Sequence, residues 1–208
     1  MYGMVNRSFE EFIGERWGAA AWEAVCARAG VDVQVFVLNE PYPDDLTYSL
    51  VMAAAAELPM APGDLLREFG HHWVLHTALK FHGPLLRSGG HTLREFLRNL
   101  PNFHTRVLMM LPGLQPPTFT FTELDAGSVR VGYQSHRPAL APFVLGLMEG
   151  LSRLFEEPVE IVHEPGPAGV QAGATQLFSR SVDGWSAGFP IAWALSPERQ
   201  PLVAIGMN

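Results

Sequence analysis

At Pro112-Gly113 the hydrophobic pattern of this 208-residue chain changes period. Upstream, apolar residues recur at about 3.6-residue spacing, the signature of helices with one buried face. Downstream they alternate, the signature of strands with one buried face. A chain that switches in this way is neither all-helix nor all-strand. It predicts an α+β fold, a helical N-terminal part followed by a small antiparallel sheet with a helix packed on it.

The helical half reads in order. Met4, Val5, Phe9, Phe12 and Ile13 share one face of a first helix that ends at Trp17-Gly18. An alanine-rich helix follows over about Ala19 to Ala29 and stops at Gly30. Val31 to Leu38 is branched and apolar, either a short strand or a packed loop. A turn at Pro41-Tyr42-Pro43-Asp44-Asp45 leads into a helix to Glu57, and Pro62-Gly63-Asp64 caps the next, about Leu65 to Lys80. Gly83-Pro84 and Ser88-Gly89-Gly90 punctuate the approach to a helix over about Thr92 to Leu111.

The strand half begins with Thr118 to Leu124 and Ser128 to Ser135, joined by the hairpin turn Asp125-Ala126-Gly127. A helix over about Ala139 to Phe155 carries Gly146 and Gly150 four apart, a spacing for close packing. Val159 to His163 and Thr175 to Val182 read as two further strands around a Gly/Pro-rich loop, Glu164 to Gly173.

Composition limits the function classes. With 48% hydrophobic and 17% charged residues the chain builds a sizeable core, and its net charge of −7 argues against a nucleic-acid surface. A single cysteine, Cys26, leaves no disulfide framework, Cys-based zinc site or iron–sulfur cluster. No stretch approaches the roughly 20 apolar residues that span a bilayer, and no leader is visible, so the expected location is cytoplasmic.

Two features carry chemistry. His104 lies in the apolar stripe Leu97, Leu100, Val107, Leu108 and Leu111, as a core histidine or as a metal ligand. Pro101, three residues earlier, should kink or restart that helix, with Asn99 as a plausible cap. In the strand from Val129 to Arg137, alternation puts Val129, Val131, Tyr133, Ser135 and Arg137 on one face. That face ends in a phenol, a hydroxyl and a guanidinium in a row, a set suited to a ligand with an apolar body and two carboxylates. The alternative is an edge strand that frays into solvent.

Tyr133-Gln134-Ser135-His136-Arg137 matches the Tyr-x-Ser-x-Arg motif of the haem nitric oxide/oxygen binding (H-NOX) domains. Met1 to Asn6 resembles the start of those domains, and Asn99 to His104 resembles the segment that carries their proximal haem ligand. Pro116-Pro117 falls where the family has a proline against the porphyrin, and Leu145 to Gly150 matches the helix after the motif.

The resemblance implies a helical part, about 1–64, and a mixed part, about 65–183, with haem b (iron protoporphyrin IX) between them. It makes His104 the iron ligand, and Tyr133, Ser135 and Arg137 the partners of the propionates. It sets Pro117 against the macrocycle, and Val5, Phe9, Trp73 and Leu147 on the distal side. The implied function is a gas sensor without catalytic turnover that binds nitric oxide and carbon monoxide. Its expected partner is a histidine kinase or a cyclic-dinucleotide enzyme. A haem-free scaffold or small-ligand module with the same fold is the competing reading.

Three departures stand out. Pro142 occupies the position where oxygen-binding members carry a tyrosine, and Pro101 replaces a polar residue. The tail from 184 to 208, with Trp185, Phe189, Ile191 and Trp193, runs past the family's usual end as an extra strand or a partner surface.

Two other patterns carry less. Glu68, His72 and His76 stand at i, i+4 and i+8, but three ligands on straight helix turns converge poorly, because the outer pair lies about 12 Å apart along the axis. This set reads as a solvated face. Gly184-Trp185-Ser186-Ala187-Gly188 has the form of a hydrolase elbow, yet neither histidine nor aspartate follows Ser186 to complete a triad.

Overall fold

Seven α-helices and a π-helical segment precede or flank a four-stranded sheet in a computed structural model that describes residues 1–111, 113–125, 127–137, 139–165 and 175–181. The loop expected after residue 165, Val182, and the tail with its elbow-like motif lie outside the described residues.

Helix α1 (Gly3–Trp17) buries Met4, Phe9, Phe12 and Ile13, the stripe that its periodicity predicts, while Val5 is half-buried. Helix α2 (Ala19–Ala29) stops at Gly30, whose φ of 63° is left-handed. Val31 to Leu38 is a packed loop, with Phe36 buried against the rings of Trp22 and Tyr42. The carbonyls of Leu38 and Glu40 accept hydrogen bonds from Met4 N and Gly3 N, at 3.1 and 2.8 Å. The end of this connection therefore serves the open N–H groups at the start of α1 rather than a sheet. Helix α3 (Asp44–Glu57) joins α1 through a buried hydrogen bond from Thr47 Oγ1 to Asn6 Oδ1, 2.7 Å.

The next helical rod is kinked close to where its sequence pattern ends, near Lys80. Helix α4 (Pro62–His72) passes into a π-helical segment (Trp73–Ala78) and then α5 (Leu79–Ser88). The rod is kinked at His82, with φ −131° and ψ 17°, directly before Gly83-Pro84, and a second helical piece runs on to Ser88. Helix α6 (Leu93–Met110) runs through Pro101. Proline inside a helix costs about 3 kcal/mol. Here Leu97, Leu100 and Val107 are buried on either side of it, each contributing about 1.5–3 kcal/mol, so burial of the stripe outweighs the break. The cap of α6 is Thr92, which accepts a hydrogen bond from Glu95 N at 3.1 Å. Asn99 instead donates to Gly89 O at 3.0 Å, so it caps nothing at Pro101.

Strands β1 (Thr118–Glu123) and β2 (Ser128–Gln134) form the expected hairpin, with Gly127 N donating to Asp125 Oδ1 at 2.8 Å. Strands β3 (Val159–Pro165) and β4 (Thr175–Ser181) complete an antiparallel sheet of order β1-β2-β4-β3. Helix α7 (Ala141–Leu154) precedes β3 and lies close against α4. A Cβ on Gly146 would stand 1.8 Å from Arg67 O, and one on Gly70 would stand 2.1 Å from Phe143 O. Backbone thus meets backbone at this crossing, which the bidentate Arg67–Glu149 ion pair flanks.

Two apolar clusters result. One joins α1, α2, α3 and α4 around Phe9, Leu50, Leu65 and Phe69. The other joins α6, α7 and the sheet around Leu97, Phe119, Val131 and Met148. Trp73, where α4 gives way to the π-helical segment, packs against both. Among the described residues no helix is long and apolar enough to cross a membrane.

Candidate functional site

Helix α6 sets His104 between the buried Leu100 and Val107, facing the sheet. Its ring stacks on Phe119 of β1, with centroids 5.4 Å apart and planes within 14°. His104 is half-buried, and the partial loss of water around its imidazole lowers its pKa to about 4, so the side chain is neutral at physiological pH. A neutral imidazole has the free nitrogen lone pair that a transition metal requires.

From Phe119 the site continues across the hairpin. The register pairs Phe119 with Tyr133, and their rings lie 5.5 Å apart. Tyr133 is buried, and burial raises its phenol pKa against the opposing pull of Ser135 and Arg137. It is therefore a neutral donor. Ser135 is buried as well, and its Oγ accepts a hydrogen bond from Arg137 N at 3.1 Å. Gln134 and His136 are exposed, so the alternation of β2 persists past its last paired residue. The strand does not fray into solvent.

Arg137 ends this row with its side chain only 15% exposed. Its Nε donates to Asp44 Oδ2 at 2.7 Å, and Nη1 donates to Gln115 O at 2.8 Å. The Asp44 carboxylate also accepts from the Met1 ammonium at 2.6 Å. Burial alone would raise the Asp44 pKa, but Arg137 and the N-terminal ammonium outweigh it and hold the carboxyl below its ordinary value. Sequence reasoning left this acid out. Its only signal was a first-turn aspartate at the start of α3, a position that capping and the helix dipole already explain.

The remaining residues are distributed as follows. Pro117 is half-buried in the segment that Gln115 ties to Arg137. Phe9 is fully buried in the first cluster, 5.0 Å from the ring of Phe69, which lies 6.2 Å from Trp73. Val5 packs against the first cluster and Leu147 against the second, beside the Gly70–Gly146 crossing. The structure thus brings His104, Tyr133, Ser135 and Arg137 into one layer through Phe119. Val5, Phe9, Trp73 and Leu147 lie along the two clusters instead.

A family model described as haem-NO-binding matches residues 2–163. The chain belongs to the H-NOX family. H-NOX domains bind haem and act as gas sensors. Among curated proteins, soluble guanylate cyclase 89Db of Drosophila melanogaster is 24% identical over 155 residues, 74% of this chain. Soluble guanylate cyclase gcy-31 of Caenorhabditis elegans is 25% identical over 162 residues, 77% of this chain. The match spans 23% of the length of each of these relatives.

Solved structures share the fold. The Fe(II) unliganded H-NOX protein of K. algicida superposes with a TM-score of 0.75 at 20% identity, covering 91% of this chain and 100% of that one. The S. oneidensis H-NOX protein in the Fe(II)NO state gives 0.78 at 17% identity, covering 88% and 100%.

The donor set of this H-NOX chain fits a haem. A neutral, half-buried imidazole, a guanidinium only 15% exposed beside two buried hydroxyl groups, and aromatic rings between them suit an iron, two carboxylates and an apolar macrocycle.

Proposed function

We propose that this chain is a nitric oxide sensor that also takes carbon monoxide, with haem b held by His104. His104 would hold the haem iron, and the iron would supply the gas-binding chemistry. The observation that carries the reading is the continuity of one layer, from the neutral His104 imidazole through Phe119 and Tyr133 to Arg137. His104 donates its lone pair from α6. Tyr133, Ser135 and Arg137 would hold the propionates, and Pro117 would lie against the macrocycle. Val5, Phe9, Trp73 and Leu147 exclude water from the distal side.

Residues 1–183 form the haem-binding unit, helical over about 1–64 and mixed over about 65–183, and 184–208 extend it. The chain itself performs no turnover. Two contacts support a route from α6 to the N-terminal helices. Gly113 N, just past α6, donates to Tyr2 Oη at 3.1 Å, and Arg137 holds Asp44 at the start of α3. A displacement of α6 would pull on the first directly and on the second through Gln115, in the segment after α6, whose carbonyl accepts from Arg137. The partner that reads it is a signalling enzyme, of the histidine kinase or cyclic-dinucleotide class.

The test is the visible spectrum of the reduced, purified protein before and after nitric oxide. A five-coordinate ferrous haem spectrum that shifts with the gas supports the sensor. Protein that takes up no haem when it is supplied would favour the haem-free scaffold.

A further inference from the structure

One cluster of metal-type donors lies outside the H-NOX site, where α1 meets the rod of α4 and the π-helical segment. Sequence spacing grouped His72 and His76 with Glu68 as a solvated face. The structure gives a different set. Glu68 pairs with Arg16 of α1 at 3.0 Å, and Glu15, one residue earlier on that helix, turns to the histidines instead.

Glu15 Oε2 lies 3.8 Å from His72 Nδ1. The rings of His72 and His76 stack with centroids 4.2 Å apart and planes within 9°. One donor atom from each of the three side chains lies within 4.8 Å of the others. His72 is buried, with the Phe12 ring 5.3 Å away, whereas Glu15 and His76 are exposed.

Local winding explains the arrangement. The π-helical segment begins at Trp73, directly after His72, and takes more residues per turn than an α-helix. It brings an i, i+4 pair closer to eclipse, which aligns the two imidazoles. The acids nearby are engaged elsewhere, Glu11 with Arg7 at 3.5 Å and Lys80 at 3.8 Å, and Glu68 with Arg16. Glu15 has no ion pair except with His72 among the described residues.

We propose that Glu15, His72 and His76 bind one divalent transition-metal ion of the zinc type, which clamps α1 to the rod. Two imidazole nitrogens and one carboxylate oxygen form a borderline donor set that suits zinc and its neighbours. Calcium and magnesium call for oxygen donors, so they are excluded. At zinc–ligand bonds of about 2.0–2.2 Å, donors stand roughly 3.4 Å apart in a tetrahedron. Glu15 and His76 close the remaining gap by side-chain rotation, because they are exposed, while His72 stays fixed in its packing. Water takes the fourth position. The ion would reinforce the Ser8–Thr77 hydroxyl contact, which already joins α1 to the π-helical segment. It would also fix the rod one residue before Trp73, the side chain shared by both clusters.

The experiment is calorimetric titration of zinc chloride into the EDTA-treated, dialysed full chain at neutral pH, with a parallel Tm measurement. One saturable zinc site per chain is expected, with Tm rising as zinc is added. Glu15→Gln and His76→Ala, both at exposed positions, should each weaken zinc at least tenfold and abolish the Tm shift. His91→Ala, an exposed histidine outside the cluster, should bind as the parent does, and magnesium chloride should give no response. Absence of a saturable zinc site would overturn the proposal, as would an unchanged affinity in either cluster variant or an equal response to magnesium. Heat and Tm are read without reference to haem, so the clamp stands or falls apart from the sensor reading.

Discussion

Arg137 Nε lies 2.7 Å from Asp44 Oδ2, a contact between residues 93 apart that joins the end of the propionate-type row to the first turn of α3. Arg137 therefore has a protein anion of its own, and propionates would share its guanidinium with Asp44. The same carboxylate binds the N-terminal ammonium, so one acid gathers the chain start, α3 and the post-β2 segment.

Asp44→Asn should lower stability by on the order of 1–2 kcal/mol at neutral pH, the lower part of the range for charge-assisted bonds because Asp44 is partly exposed. The folded pKa of Asp44 lies below its ordinary value, so the unfolded chain binds the proton more readily. Its contribution is fully present above the unfolded carboxyl pKa, about 3.9, and is lost as pH falls through the folded value. Denaturant melts of parent and variant should differ at neutral pH and converge in acid. A difference that stays constant across that window would remove Asp44 from the network.

Arg137 and Ser135 should separate in haem retention. A guanidinium–carboxylate bond in a partly buried site is worth about 1.5–3 kcal/mol, and a neutral hydroxyl donor about 1. Haem loss to a scavenger should be much faster from Arg137→Ala than from Ser135→Ala. Equal rates would exclude Arg137 from propionate binding.

Gly146→Ala should destabilise the fold by about 3 kcal/mol or more, because the added methyl meets the backbone oxygen of Arg67 rather than a movable side chain. Gly14→Ala is the control, since a Cβ there meets nothing within 4 Å. Urea unfolding of the two variants reads the contrast, and similar midpoints would mean that α4 and α7 can separate at little cost.

What could be read from sequence was what local period determines. The β2 face, its hairpin and the Gly146 and Gly150 spacing all follow from alternation or helical repeat over a few residues, and each appears in the structure. Contacts between distant segments carried no such signal. Asp44 reaches Arg137 only because α3 and the end of β2 meet in space, and Gly70 gains its meaning only from the α7 backbone opposite it. Pro101 looks like a helix end when propensity is weighed alone, yet α6 runs through it, whereas Gly83-Pro84 does follow a kink, at His82. The Glu68, His72 and His76 spacing reads as a solvated face, and helical spacing cannot show that Glu68 meets Arg16 or that His72 is buried.

Selectivity among gases rests on the distal side. Oxygen on ferrous iron takes on negative charge, so a distal donor is worth about 1.5–3 kcal/mol, on the order of ten- to a hundredfold in affinity. Nitric oxide and carbon monoxide depend on such a donor much less. Pro142, in the first turn of α7, has none, nor do Val5, Phe9 and Leu147. The Trp73 indole N–H is the one donor of this set, and its ring packs against Phe69 and Phe143. The ferrous spectrum should respond to nitric oxide and carbon monoxide and show no stable oxygen-bound form in air-saturated buffer. A persistent oxygen-bound spectrum would contradict this, and its disappearance in Trp73→Phe would identify the donor.

His104, half-buried on the stripe of α6, would be the residue through which the chain holds the iron. The most direct measurement is the ferrous absorption spectrum of His104→Gly with and without imidazole. The five-coordinate spectrum of the parent should be lost in the variant and return when imidazole fills the space the side chain left. A variant whose ferrous spectrum is unchanged without imidazole would contradict that role.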